Sequence, residues 1–171
     1  MMRTPKQKGF TIVEMVVAIA LLSLLTAAVT ALMSGTISSE RHVRSIEEVE
    51  TQGNYALYQF AQAARNGRSI TAPTALTGAT SSSLTLASNV STANPTVFGL
   101  SNGALQEKQG SAASTTLTSA AVTVTSLSFQ NLTASSTKGT VRMAITLSHV
   151  NPSNRSDLSY TQTFYTSVTL R

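Results

Sequence analysis

The hydrophobic pattern of the chain changes period along its length. Met15 to Met33 (MVVAIALLSLLTAAVTALM) is 19 residues without a charge, glycine or proline. As a helix this run rises about 28 Å, roughly one hydrocarbon core. Beyond it Ile46, Val49, Gly53, Leu57, Phe60 and Ala64 recur at steps of three or four, one face of an amphipathic helix. Glu40, Arg41, Arg44, Glu47, Glu48 and Glu50 fall mostly off that face, and Glu40 and Arg44 have the favourable acid-first i,i+4 spacing. Asn66-Gly67 reads as a helix stop, with Arg68 and the breaker Pro73 following. The spacing predicts one helix from about Thr11 to Arg65, about 80 Å long. Gly35 and Gly53 are positions where it could loosen or bend.

Period two takes over towards the C-terminus. Val141, Met143, Ile145 and Leu147 alternate with Arg142, Ala144, Thr146 and Ser148. Leu158, Tyr160, Phe164, Val168 and Leu170 share one parity, with Thr161, Thr163, Tyr165 and Thr169 on the other. These are two long half-buried strands, with a turn at Asn151-Pro152-Ser153-Asn154. Shorter strand patterns occur at Leu84/Leu86, Val97–Leu100, Val122/Val124 and Leu127/Phe129. The step from Val124 to Leu127 breaks phase and predicts a bulge. Ser101-Asn102-Gly103 predicts a hairpin turn between Thr96–Leu100 and Ala104–Gln109. Ala72–Ser83 and Gly110–Ser114 are expected to be the loosest pieces. A helix that covers an antiparallel sheet with its amphipathic half is an α+β fold.

Composition sharpens this picture. From Ser69 to Gly139, Ser and Thr supply 28 of 71 residues. Such a stretch alone could be a mucin-like stalk, but Thr is a good strand residue and the β-patterned runs favour a sheet with a polar outer face. The formal charge of +5 comes largely from the tip: Arg3, Lys6 and Lys8 are three of the twelve basic residues, and nine basic face seven acidic groups thereafter. No later cluster of Lys and Arg with aromatics resembles a nucleic-acid surface, so no direct nucleic-acid binding is expected.

No ionisable residue intervenes between Glu14 and Glu40, and the basic flank precedes the apolar run. Positive-inside logic places residues 1–8 in the cytoplasm and the rest outside the membrane. Three readings fit: a cleaved secretory signal with its exit at Thr26–Ala31, a plain signal anchor, and one that uses Lys8-Gly9-Phe10-Thr11-Ile12-Val13-Glu14. The first two have no use for Glu14, since a carboxylate at the mouth of an apolar run is costly without a partner. They leave a signal-anchored or secreted β domain that binds or adheres and forms no filament.

The string KGFTIVEMVVAIALLSLL resembles the N-terminus of type IV prepilins and type II secretion pseudopilins, over about 25 residues. The resemblance implies a leader, residues 1–9, cut by a prepilin peptidase between Gly9 and Phe10, with N-methylation of Phe10 by the same enzyme. It makes Glu14 the fifth residue of the mature chain, an assembly group meeting the terminal amine of a neighbouring subunit. Residues 10–34 become the transmembrane or filament-core half of the helix, 35–67 its amphipathic half, and 68–171 the exported β domain. Implied partners are the peptidase/methyltransferase, other pilin or pseudopilin subunits and an inner-membrane assembly platform. The implied fold is pilin-like: a long helix on a C-terminal antiparallel sheet. The implied place is the inner membrane with the N-terminus in the cytoplasm, then a filament. The layout is similar to minor J-type pseudopilins. The chain lacks the proline many major pilins carry in this helix. It also lacks the cysteines that close their C-terminal loop and the acidic C-terminal loop that holds Ca²⁺ in G-type pseudopilins.

The remaining chemistry is sparse. Without cysteine there is no disulfide, thiolate metal site or Cys nucleophile, and a single Asp cannot build an EF-hand loop. No G-x-S-x-G or P-loop motif occurs. His42 is expected in the charged part of the helix and His149 at a sheet rim, with no base–nucleophile pair between them. Glu47, Glu48 and Glu50 are expected on a solvated helix face. The chain reads as a non-enzymatic structural subunit that needs no cofactor and no metal.

Overall fold

The computed structural model describes residues 9–74, 80–134 and 139–171. Arg3, Lys6 and Lys8 of the expected leader, and part of the segment Ala72–Ser83, lie outside the described residues. Compact units divide between Glu40 and Arg41. The fold is α+β.

The first element is α1, Ile12–Asn66. In the unit before Arg41 every residue from Gly9 to Ile37 is exposed, among them Ile12, Leu24 and Leu32, at 83%, 73% and 74%. This stretch is long and apolar enough to cross a membrane. Its hydroxyls are satisfied within the helix: Ser23 donates to the Ala20 carbonyl at 2.8 Å, Thr26 to Ser23 at 2.9 Å, Thr30 to Thr26 at 2.8 Å and Ser34 to Thr30 at 2.6 Å. Back-bonded in this way, polar side chains can sit in an apolar surround without an unmet hydrogen bond.

Among the described residues, the unit from Arg41 onward contains the rest of α1 and nine strands: β1 (Gly67–Ala72), β2 (Thr80–Ser81), β3 (Leu84–Ser88), β4 (Thr96–Ser101), β5 (Ala104–Gln109), β6 (Thr115–Thr116), β7 (Val122–Asn131), β8 (Thr140–His149) and β9 (Thr161–Thr169). They form two antiparallel sheets in the orders β1-β3-β4-β5-β6 and β2-β7-β8-β9. The strand pattern predicted a single sheet. It identifies strands but not their partners: β7 pairs with β2 and β8 and not with the preceding β5 or β6, a choice that no local pattern carries.

Where the pattern is long, the structure follows it. β4 and β5 are paired from Thr96↔Gln109 to Ser101↔Ala104. Asn102 and Gly103 close that hairpin at φ 50° and 72°, the left-handed pair a two-residue type I′ turn requires. β7 and β8 shift register between Val124 and Ser126, where the phase break lies. Val141, Met143, Ile145 and Leu147 of β8 are all fully buried.

The core joins α1 to both sheets. The helix face is Ser45, Val49, Gly53, Ala56, Phe60 and Ala64, so Ser45 and Ala56 replace the expected Ile46 and Leu57, which are half-buried. At these two positions the smaller residue faces the sheets and its larger neighbour is turned partly outward. Ser45 can be buried because its hydroxyl donates to the His42 carbonyl at 2.8 Å. Phe60 meets Phe98 of β4 edge-on and Phe129 of β7 at a tilt, each at 5.9 Å between ring centroids. One side chain therefore bridges helix and both sheets.

Candidate processing and assembly site

The N-terminal junction is organised by Thr11. Its hydroxyl accepts the Glu14 N–H at 3.2 Å, and its carbonyl accepts the Met15 N–H at 3.1 Å. Thr11 is therefore the N-cap of α1, and Thr11-x-x-Glu14 has the capping-box spacing. Beyond matching the motif, Thr11 stands three residues before Glu14, and that spacing is the sequence signal of its capping role. The cap also fixes what precedes it. Gly9 and Phe10 are exposed and non-helical, with Phe10 at 73%. The Gly9–Phe10 peptide bond thus stands clear of helical hydrogen bonding, and among the described residues no atom beyond the chain neighbours of Gly9 lies within 4 Å of the place a Cβ would occupy there. Glu14 is exposed in the first turn of the helix. There its negative charge complements the helix dipole. Among the described residues nothing bonds its carboxylate. Gly9, Phe10 and Glu14 thus fall within two turns of one helix start, ahead of the apolar segment.

Residues 4–30 match the prokaryotic N-terminal methylation motif. The methylation motif ends inside the apolar segment and contains Gly9, Phe10, Thr11 and Glu14. Together with the long N-terminal helix it supports a pilin-like subunit, a class of structural proteins. No curated protein and no solved structure matches the chain.

Other sequence candidates are placed as follows. His42 is exposed on α1. His149 ends β8 opposite Val122, where its N–H donates to the Tyr160 carbonyl at 2.9 Å; its Nδ1 is buried and, among the described residues, has no partner. Glu47 and Glu50 are exposed as expected, but Glu48 is not a free solvated carboxylate. Its Oε1 accepts the Ser119 hydroxyl at 2.9 Å and the Gln52 amide at 3.2 Å. Gln52 in turn accepts the Ser119 N–H at 3.0 Å. Helix face patterns do not reveal this clip, because Ser119 is 67 residues away from Gln52. Among the described residues no group of three His, Asp or Glu is placed to hold a metal ion.

A second polar tie closes the β8–β9 connection. Arg155 donates to Asp157 through Nε at 2.9 Å and Nη2 at 2.7 Å, while Arg41 Nη1 lies 3.9 Å from the same carboxylate. The Arg155 hydrogen bonds hold the Asp157 carboxyl below its ordinary range, and Asp157 raises Arg155 in return.

Proposed function

We propose that this protein is a minor pilin or pseudopilin, a structural subunit of a type IV pilus-like or type II secretion filament. A prepilin peptidase cuts between Gly9 and Phe10 and methylates the new Phe10 amine. The processed chain is held in the inner membrane by its apolar helix with the β domain exported, and an assembly platform then adds it to a filament of like subunits.

The observation that carries this reading is the methylation motif laid over a capped helix start. A peptidase needs an extended, reachable backbone, and Thr11 keeps the helix from beginning before Ile12. Cleavage removes every basic side chain of the leader. It leaves one amine at Phe10 and one carboxylate at Glu14. In an apolar surround such a pair adds little net stability, but either group left unpaired is strongly penalised. That asymmetry selects one axial register between packed helices, which apolar side chains alone cannot do because lipid is equally apolar.

The test is Glu14→Ala, followed in membranes and in sheared filaments. The variant should be inserted and processed like the native chain and be lost from filaments. Incorporation at the native level would remove the role given to Glu14 and favour a signal-anchored binding domain.

A further inference from the structure

The four-stranded sheet ends at β9, and backbone hydrogen bonds fix which residues face its open side. Leu170 donates to the Gly139 carbonyl at 2.8 Å, and His149 donates to the Tyr160 carbonyl at 2.9 Å. Bonding residues of an antiparallel strand recur with period two, so the even-numbered positions of β9 turn their backbone groups towards β8. Thr161, Thr163, Tyr165, Ser167 and Thr169 turn theirs away. Each of these residues is exposed. Among the described residues nothing bonds their N–H or C=O groups.

Proteins usually blunt such edges with Lys, Pro, bulges or very short strands. The other edges here follow that rule. β2 and β6 have two residues each, and β1 carries Arg68 and two register shifts. β9 has nine residues, TQTFYTSVT, with no charge and no proline, and pairs with β8 without a shift.

A row of outward N–H and C=O groups is a ready template for another extended chain. The order of the outward residues says which. Read from either end it is Thr, then Thr or Ser, then Tyr165, then Ser or Thr, then Thr, nearly the same in both directions. We propose that β9 pairs antiparallel with β9 of a second copy of this protein, centred on Tyr165. In that register Thr161 opposes Thr169 of the partner subunit, Thr163 opposes Ser167 of the partner subunit, and the Tyr165 rings meet. Hydroxyl pairs of this kind already cross β8–β9: Thr146 with Thr163 at 2.9 Å and Thr140 with Thr169 at 3.2 Å. Thr–Thr and aromatic cross-strand pairs are favourable, and a strand without charge opposes no like charges. Arg142, 5.5 Å from the Tyr165 ring centroid, stays one strand back from the seam. The proposal stands apart from the filament reading.

The chain has no cysteine, so single-cysteine variants of the full-length protein in its membrane report the contact directly under mild oxidation. Tyr165→Cys should form linked dimers at least about tenfold faster than Ser126→Cys, an exposed β7 position away from the edge. Copies carrying Thr163→Cys, mixed with copies carrying Ser167→Cys, should give the mixed dimer in excess over either homodimer. Adding Thr163→Pro to Tyr165→Cys removes an outward N–H and the hydroxyl pair with Thr146, but no backbone bond to β8. It should lower the dimer yield about tenfold, near the worth of a lost hydrogen bond on each side. Equal rates at positions 165 and 126, no preference for the 163–167 pair, or a Tyr165→Cys link to a different protein in place of a dimer would each overturn the proposal.

Discussion

The ring of Phe164 on β9 packs on α1 at Gly53 so closely that a Cβ there would penetrate its Cε2, Cζ and Cδ2 atoms. Gly53 is therefore the point where the absence of a side chain sets the distance between helix and sheet, and not a loosening of the helix.

Gly53→Ala should destabilise the protein. Overpacking costs about 1–3 kcal/mol, against at most about 1 kcal/mol gained from helix propensity. We expect a net loss of about 1–2 kcal/mol by chemical denaturation. Gly35→Ala, where no atom lies within 4 Å of the added Cβ, should cause no loss.

Phe60 links α1 to one ring in each sheet, and its removal should loosen both contacts together. Phe60→Ala is expected to cost about 3–5 kcal/mol. In thermal unfolding the helix and sheet signals should fall to the same lower midpoint. A sheet signal that kept its native midpoint would show that the helix is not part of the same core.

The clip between Gln52, Glu48 and Ser119 holds the β6–β7 connection to the helix. Gln52→Ala leaves the half-buried Ser119 N–H without its acceptor and should cost about 1–3 kcal/mol. Gln62→Ala, at an exposed position of the same helix, should stay within about 0.5 kcal/mol of the native value.

Asp157 gives the stability a pH dependence of known sign. Its carboxyl is held lower in the folded chain than in the unfolded one by Arg155. The stabilisation is therefore complete above the ordinary Asp range, about pH 4, and is lost as the pH falls through the lowered folded value. Asp157→Asn should lower the melting temperature at pH 7, and the gap to the native protein should narrow in acid. A gap of constant size would mean that the Arg155 pairing does not contribute.

How much of this was legible follows from how far each feature extends along the chain. The helix and its stop, the Asn102-Gly103 hairpin, the bulge after Val124 and the alternation of β8 all lie within local windows where periodicity or turn chemistry suffices. The two-sheet division lies between β6 and β7, which do not pair, and periodicity marks strands without saying which of them are neighbours. The helix face was read one step aside at Ile46 and Leu57, because hydrophobicity marks the large flanking residues while packing selects Ser45 and Ala56. At the N-terminus the motif residues were plain, but the cap at Thr11 is a backbone relationship that apolar patterning does not register. The Glu48 clip and the Arg41–Asp157 contact join residues distant in sequence and left no local trace.

The central claim is that a prepilin-type peptidase matures this chain for assembly. The measurement that tests it most directly is the N-terminus of the native protein recovered from its cell envelope, by intact mass and terminal sequencing. The account predicts a chain beginning at Phe10, with or without one added methyl group. A chain beginning at Met1, as a plain anchor would, or near Ser34, as a secreted domain would, contradicts it.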